Sequence, residues 1–155
     1  MNRFIKLLLL ILLPLAVGAI SGYFSVSAIG SWYMQLNRPT WNPPSWLFGP
    51  VWTTLYLIMG YSSFRIAEKE KNKERYNALL IYGIQLFFNF WWSILFFGFH
   101  LIGTALIEII ILWILIVLMI AKFRKIDSLA AYLNIPYLLW VSFATVLTAT
   151  IYSLN

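Results

Sequence analysis

Long apolar stretches separated by short polar clusters run the length of this 155-residue chain. Residues 7–37 and 39–64 carry no charge, and residues 76–121 carry only Glu108. A helix needs about 20 apolar residues to cross the hydrocarbon core of a bilayer, and each stretch contains at least that many. The pattern therefore predicts an all-α integral membrane bundle.

Five transmembrane helices, forming one domain over residues 1–155, account for these stretches. Residues 76–121 are too long for one crossing, and the glycines at 98 and 103 flank a tight turn that divides them. Pro136 is expected to kink the last helix. The predicted helices cover approximately residues 7–28, 45–66, 76–98, 102–122 and 128–152.

The basic residues orient this bundle, because ten of the eleven fall on one side of it. They are Arg3, Lys6, Arg65, Lys69, Lys71, Lys73, Arg75, Lys122, Arg124 and Lys125. Arg38 alone lies on the other side. Loops rich in Lys and Arg stay in the cytoplasm, which predicts a cytoplasmic amino terminus with the carboxyl terminus and first loop outside. Charges confined to loops indicate membrane lipid, not nucleic acid, as the surrounding partner.

The first apolar stretch has a second interpretation. A basic start, an apolar middle and small residues up to Ala19 are also typical of a cleaved secretory signal peptide. The stretch continues through Tyr23 and Phe24 to Ala28, longer than a usual signal core, so we favour a retained helix. Cleavage would leave four spans with the same orientation.

Composition excludes several kinds of chemistry. The chain is 62% hydrophobic and 10% charged, with no cysteine and one histidine. Disulfides, thiolate catalysis and zinc–thiolate sites are excluded, and one histidine cannot form a multi-histidine metal site. We find no nucleophile triad or carboxylate pair, and we expect no metal and no required cofactor.

Four tryptophans and four prolines lie in the segment 32–52, between the first two predicted spans. Proline fixes φ and lacks a backbone donor, so this segment is predicted to be a stiff, extended loop. Indole rings favour the boundary between lipid and water. The loop is expected to form an interfacial belt, the lid of an aromatic pocket, or both.

Aromatic and amide side chains share faces on three predicted helices at 3.6-residue spacing. Beneath a lid formed by the first loop, these faces would line a cavity for a flat, mainly apolar ligand, with rings stacking on it and indole N–H groups donating to its oxygens. The predicted binding residues are Tyr33, Arg38 and Trp41 in the lid, Trp52 and Tyr56, Asn89, Trp92 and Phe96, and Trp140 and Ala144. The alternative is that the aromatics only pack helices and that the amides bond between them.

Glu108 is the only acid within an apolar span. Acids inside membranes serve as proton relays or ion sites by default. No second ionisable residue lies at the same depth, so we favour a structural acid hydrogen-bonded to neighbouring helices.

The motifs of the chain resemble those of the tryptophan-rich sensory protein family, also called translocator proteins or peripheral-type benzodiazepine receptors. They are Trp32-Tyr33, Arg38-Pro39-x-Trp41-x-Pro43-Pro44, Gly49-x-x-Trp52, Asn89-x-x-Trp92-Ser93 and Pro136-Tyr137-x-x-Trp140-x-x-Phe143-Ala144-Thr145. The resemblance covers essentially the whole chain, and the motifs occur in the same order.

The resemblance implies a five-helix bundle, often a homodimer, that binds porphyrins such as protoporphyrin IX and haem, sterols, and isoquinoline or benzodiazepine ligands. The pocket it implies contains Tyr33, Pro43, Trp52, Tyr56, Asn89, Trp92, Trp140 and Ala144. Animal members carry a basic residue after a tyrosine at the end of the last helix, whereas Tyr152 is followed by Ser-Leu-Asn, which argues against sterol binding there. The short carboxyl terminus and basic inner loops suggest a bacterial plasma membrane.

These inferences support three functional hypotheses. The first is a receptor or carrier for porphyrins, linked to stress sensing and tetrapyrrole handling, with porphyrin or haem as ligand. The second is an enzyme that breaks down porphyrin using light and oxygen, with Trp52 and Trp140 as the reacting residues. The third is a proton-coupled transporter using Glu108. We expect a binding protein rather than an enzyme.

Overall fold

The computed structural model describes residues 1–155 as a bundle of helices without strands. A 3₁₀ turn at Ser45–Leu47 leads into the third helix, and a π-helical turn at Ile94–Gly98 ends the fourth. The helices are α1 (Arg3–Ile29), α2 (Trp32–Gln35), α3 (Phe48–Ala67), α4 (Lys73–Ser93), α5 (Ile102–Ile126), α6 (Ser128–Tyr132) and α7 (Ile135–Leu154).

Four segments are long and apolar enough to cross a membrane: Arg3–Ile29, Lys73–Gly98, Ile102–Ile126 and Ser128–Leu154. The α3 helix has 20 residues but is not among them. It begins with Phe-Gly-Pro and includes paired threonines and serines, which lower its apolar character. The predicted all-helical membrane protein is therefore found, with four clear membrane-length segments instead of the five predicted.

The last predicted helix is interrupted, and Pro136 does not kink it. The chain forms α6, breaks at Leu133–Asn134, and restarts as α7 with Pro136 in its first turn. Proline is well accommodated there, because a first-turn residue needs no backbone donor and its φ is already helical. The Asn134 amide stabilises the break by donating to the Ser62 hydroxyl at 2.7 Å and the Ala130 carbonyl at 2.9 Å.

Helices α1 and α3 meet at very short range in one half of the bundle. A Cβ atom at Gly60 would lie 2.6 Å from the Cα of Ile11, and one at Gly18 would lie 2.2 Å from the Tyr56 ring. Only glycine permits such approaches, as at other small-residue contacts between membrane helices. The buried core then continues through α4, α5 and α7.

Ion pairs connect the basic segments of the chain, which all lie at the same end of the bundle. Glu68, after α3, pairs with Arg3 and Lys6 of α1 at 3.1 and 2.8 Å. Asp127, between α5 and α6, pairs with Arg65 and Lys69 at 2.9 Å each. The amino terminus and the two basic loops thus form one face, and the Trp-Pro loop lies at the opposite end.

The Asp127 carboxylate is the most strongly held charge on that face. Burial alone would raise its pKa, but the Ala130 backbone N–H, the Lys69 ammonium and the Arg65 guanidinium outweigh burial and lower the pKa to about 2. Its native pKa thus lies below the ordinary value of 3.8. The stabilisation is complete above about pH 4 and is lost as the pH falls towards 2.

We predict that Asp127→Asn lowers the free energy of unfolding by about 1–2 kcal/mol at pH 7. Asparagine can still cap α6, so the substitution isolates the charge. The difference from the wild type should vanish near pH 2, measured by chemical unfolding in micelles. Glu70→Gln is the control, because Glu70 forms no ion pair. A difference independent of pH would contradict the assignment.

Candidate functional site

A cavity of about 710 Å³ lies among α1, α3, α4 and α7, at the Trp-Pro end of the bundle. Of its 27 lining residues 17 are hydrophobic, so its wall favours an apolar ligand. Its volume falls within the range of about 300–1,000 Å³ that is typical of small-molecule sites.

Most of the predicted binding residues line this cavity. They are Tyr33, Trp52, Tyr56, Asn89, Trp92, Phe96, Trp140 and Ala144. Arg38 and Pro43 instead line a smaller, polar pocket of about 430 Å³ in the Trp-Pro loop. Trp41 lines neither pocket, and its ring packs edge-on against Phe143 of the cavity wall at 5.8 Å. The loop pocket adjoins the cavity at Ser45, which lines both.

Stacked pairs of rings form much of the wall. The Trp52 ring stacks on Tyr56 at 5.5 Å, and Trp92 stacks on Phe96 at 5.6 Å. Both pairs are four residues apart, which brings side chains together on one helix face. Each stacked pair packs one wall ring against another ring of the same helix.

A chain of hydrogen bonds crosses the cavity floor. The Tyr56 hydroxyl donates to Asn89 Oδ1 at 2.6 Å, and Asn89 Nδ2 donates to the Tyr137 hydroxyl at 2.9 Å. Tyr137 in turn donates to Gln85 Oε1 at 2.7 Å. Because the membrane interior offers no water, this chain satisfies polar groups on three helices at once.

Tyr137 was missing from the predicted site residues. It is fully buried and joins α7 to the amides of α4. Its position could have been found from spacing, since Tyr137, Trp140 and Ala144 lie three and then four residues apart on one face.

Two indole N–H groups of the cavity wall lack a partner within the protein. The Nε1 atoms of Trp92 and Trp140 are buried and have no acceptor in the protein. Other atoms of these rings therefore form the cavity surface. Donation from indole N–H groups to the oxygens of a ligand stays a prediction.

Arg38 and Tyr33 connect the loop with the cavity. The Arg38 guanidinium lies 5.0 Å from the centre of the Tyr33 ring, a cation–π contact. The Tyr33 hydroxyl donates to Asn42 Oδ1 at 2.6 Å. Burial raises the pKa of Tyr33 above the ordinary value of 10.0. Arg38 is the only basic residue at this end of the bundle.

Glu108 is buried in α5, but its predicted hydrogen bonds to neighbouring helices are wrong. Neither carboxyl oxygen has a partner in the protein. Sequence position placed this side chain inside the bundle and could not show which groups of α4 and α7 would face it. An unpartnered buried acid is costly.

A family model described as the TspO/MBR family matches residues 10–154, nearly the whole chain. The chain belongs to this family. The resemblance found in its motifs is thereby confirmed.

Individual relatives of the TspO/MBR family align over most of the chain. It is 40% identical to the tryptophan-rich protein TspO of Chlorobaculum tepidum, covering 99% of this chain and 98% of that protein. It is 38% identical to the tryptophan-rich sensory protein of Cereibacter sphaeroides, over 80% and 77%. The translocator protein of Bos taurus is 34% identical, over 88% and 82%.

Membership of the TspO/MBR family and the membrane-length helices identify an integral membrane protein. Animal and microbial relatives match over the same long region. The structure adds a specific place for a small-molecule partner, the aromatic cavity.

We predict that the floor network is cooperative. Asn89→Leu leaves the buried Tyr56 hydroxyl without an acceptor and should lower the free energy of unfolding by about 1–2 kcal/mol. In a Tyr56→Phe background the same change should cost less, by roughly 0.6–1.7 kcal/mol. Unfolding in mixed micelles of the four proteins of this cycle provides the measurement. Equal costs in both backgrounds would show that the two side chains act independently.

Proposed function

We propose that the protein is a membrane receptor or carrier that binds porphyrins, such as protoporphyrin IX or haem, in its aromatic cavity. The observation that carries the proposal is that Trp52 of α3 and Trp140 of α7 line one apolar cavity of about 710 Å³. Two large aromatic surfaces from separate helices suit a flat, conjugated guest. No resident cofactor is needed, because the porphyrin is the ligand.

The chemistry of the wall supports a planar, apolar ring system. Stacked aromatic pairs contribute about 0.5–1.5 kcal/mol beyond the area that they bury, and a porphyrin can contact several rings simultaneously. The lining offers few exposed polar atoms, since Tyr56 already donates to Asn89. A sugar or a peptide would leave many of its own polar groups unpaired here.

Arg38 supports the orientation of such a ligand. It is the single positive charge at the Trp-Pro end, and it forms no ion pair. It contacts Tyr33, which lines the cavity. We propose that the ring lies between Trp52 and Trp140 and that a carboxylate of the ligand extends to the Arg38 guanidinium.

The membrane arrangement is part of the proposal. We propose that α3 is a fifth span, since its 20 residues give about 30 Å of helix and it packs along α1. The basic face, which collects ten of the eleven Lys and Arg residues, would face the cytoplasm of a bacterium. The Trp-Pro loop and carboxyl terminus would lie outside, and the protein would form a homodimer.

Removing the two cavity indoles tests the proposal. The double variant Trp52→Phe/Trp140→Phe keeps the apolar character but reduces ring area, so the Kd for protoporphyrin IX should rise about tenfold. Quenching of the remaining tryptophan fluorescence in nanodiscs gives the affinity. Trp91→Phe/Trp113→Phe is the matched control, because neither residue lines the cavity. Equal affinities of the two double variants would reject the aromatic site.

The same samples distinguish binding from breakdown. Under illumination in air, a photo-oxidative enzyme would bleach the porphyrin absorbance faster than free tryptophan does, and would lose this advantage in the Trp52/Trp140 variant. With a receptor or carrier, the bound porphyrin bleaches no faster than it does with free tryptophan. We expect the second result, although photo-oxidative breakdown would require no acid–base pair.

Glu108 supports a second candidate function, coupling of transport to protons. Its carboxyl group is buried in an apolar helix without a hydrogen-bond partner, and a residue kept at such a cost in free energy is a candidate for a functional role. Glu108→Gln keeps the shape of the side chain and removes its ability to exchange a proton. A coupled carrier would lose pH-driven porphyrin uptake into liposomes while keeping its affinity. Full uptake by the variant would eliminate this function.

A further inference from the structure

The cavity is open on one side only. Six of its lining residues are exposed, and all lie on α1 or on the segment that begins α3. They are Ala19, Val26, Ser45, Trp46, Gly49 and Thr53. No lining residue of α4 or α7 is exposed. The opening therefore lies between α1 and the start of α3.

The space beside the glycines of α1 and α3 shows where these two helices touch and where they separate. At Gly60 a Cβ atom would lie 2.6 Å from the backbone of Ile11, so α1 and α3 touch there. At Gly22 of α1 and Gly49 of α3, a Cβ atom would meet nothing within 4 Å. The helices thus diverge from a closed contact near the basic end to a gap beside the cavity.

The gap begins within the hydrocarbon layer. Ala19 follows Arg3 by sixteen residues, roughly 24 Å along the helix at 1.5 Å per residue, and the hydrocarbon core is about 30 Å thick. On the same scale Tyr23 and Val26 lie about 30 and 35 Å from Arg3, at the outer edge of this core, and they are 79% and 71% exposed. Trp46, 72% exposed, marks the upper rim, where an indole favours the lipid–water boundary.

We propose that this gap is a lateral portal through which planar apolar ligands pass between the bilayer and the cavity. The inference rests on the proposed function, and it adds the source of the ligand: molecules already dissolved in lipid. A flat ring system can slide edge-first between two helices, and Trp41 of the Trp-Pro loop packs on Phe143 of the opposite cavity wall. Such a portal would favour ligands that partition into the membrane before they bind in the cavity.

Glycine at the portal sets its width. Gly22 and Gly49 have open space beside them, so a phenylalanine at either position should fold normally and narrow the gap. Gly83 is the matched control: it is also an exposed helical glycine with open space, but it lies on α4 away from the cavity. None of the three substitutions removes a tryptophan, so the fluorescence signal is preserved.

Stopped-flow quenching by protoporphyrin IX in phosphatidylcholine nanodiscs provides the test. With Gly22→Phe and Gly49→Phe, the association and dissociation rate constants should both fall at least tenfold, whatever change in the Kd the added ring causes at these two cavity-lining positions. Gly83→Phe should match the wild type. A portal controls the speed of passage in both directions without changing the bound state, so the parallel loss of both rates is its signature.

Two other outcomes have distinct meanings. Unchanged association rate constants in both portal variants, with normal wild-type binding, would overturn the portal and leave the proposed function intact. If wild-type protein fails to quench with protoporphyrin IX at any concentration, the proposed function fails and the portal fails with it. The wild-type titration therefore separates the two failures.

Discussion

The hydrogen-bond chain from Tyr56 through Asn89 and Tyr137 to Gln85 is the interaction on which the bundle depends. In lipid, helices gain little from burying apolar surface against one another, because acyl chains are equally apolar. Polar groups within the membrane must find partners inside the protein. This chain supplies them for α3, α4 and α7 together and fixes the distance between these helices. A cavity directly above it can then stay open without the helices collapsing.

The two ends of the bundle differ in how closely their helices are connected. At the basic end, Glu68 and Asp127 connect three chain segments through ion pairs, and the Gly60 contact locks α1 to α3. At the other end, the helices part and the Trp-Pro loop spans the space. The ion pairs and the closest helix contact thus lie below the cavity, whereas beside the cavity the glycines at 22 and 49 have open space around them. This division is what a binding site reached from one end requires.

Much of the fold and of the candidate site could be predicted, because membrane-spanning helices require long apolar stretches that are easily recognised in a sequence. The charge-free stretches predicted the helices, and the 3.6-residue spacing predicted that Trp52, Tyr56, Asn89 and Trp140 lie on inward faces. The features that were not predicted depend on contacts between residues that are distant in sequence or on loop conformation. The break at Asn134 depends on its bond to Ser62, 72 residues away. Likewise, whether Glu108 has a partner depends on neighbours from other helices, and a loop residue such as Trp41 follows no helical period.

The π-helical turn at Ile94–Gly98 has a consequence for length variation in this region. A wide turn holds one residue more than an α-turn, and residues in an α-helix are about 100° apart around the axis. This surplus lets Ile94, Phe96 and Phe97 all be buried within four positions. The wide turn absorbs this surplus residue, because five residues in it cover nearly the same rotation as four residues of a regular α-helix. A homologue one residue shorter at this point would therefore have a regular helix here, with the following turn at His100 in nearly the same direction and with one aromatic side chain fewer on the buried face.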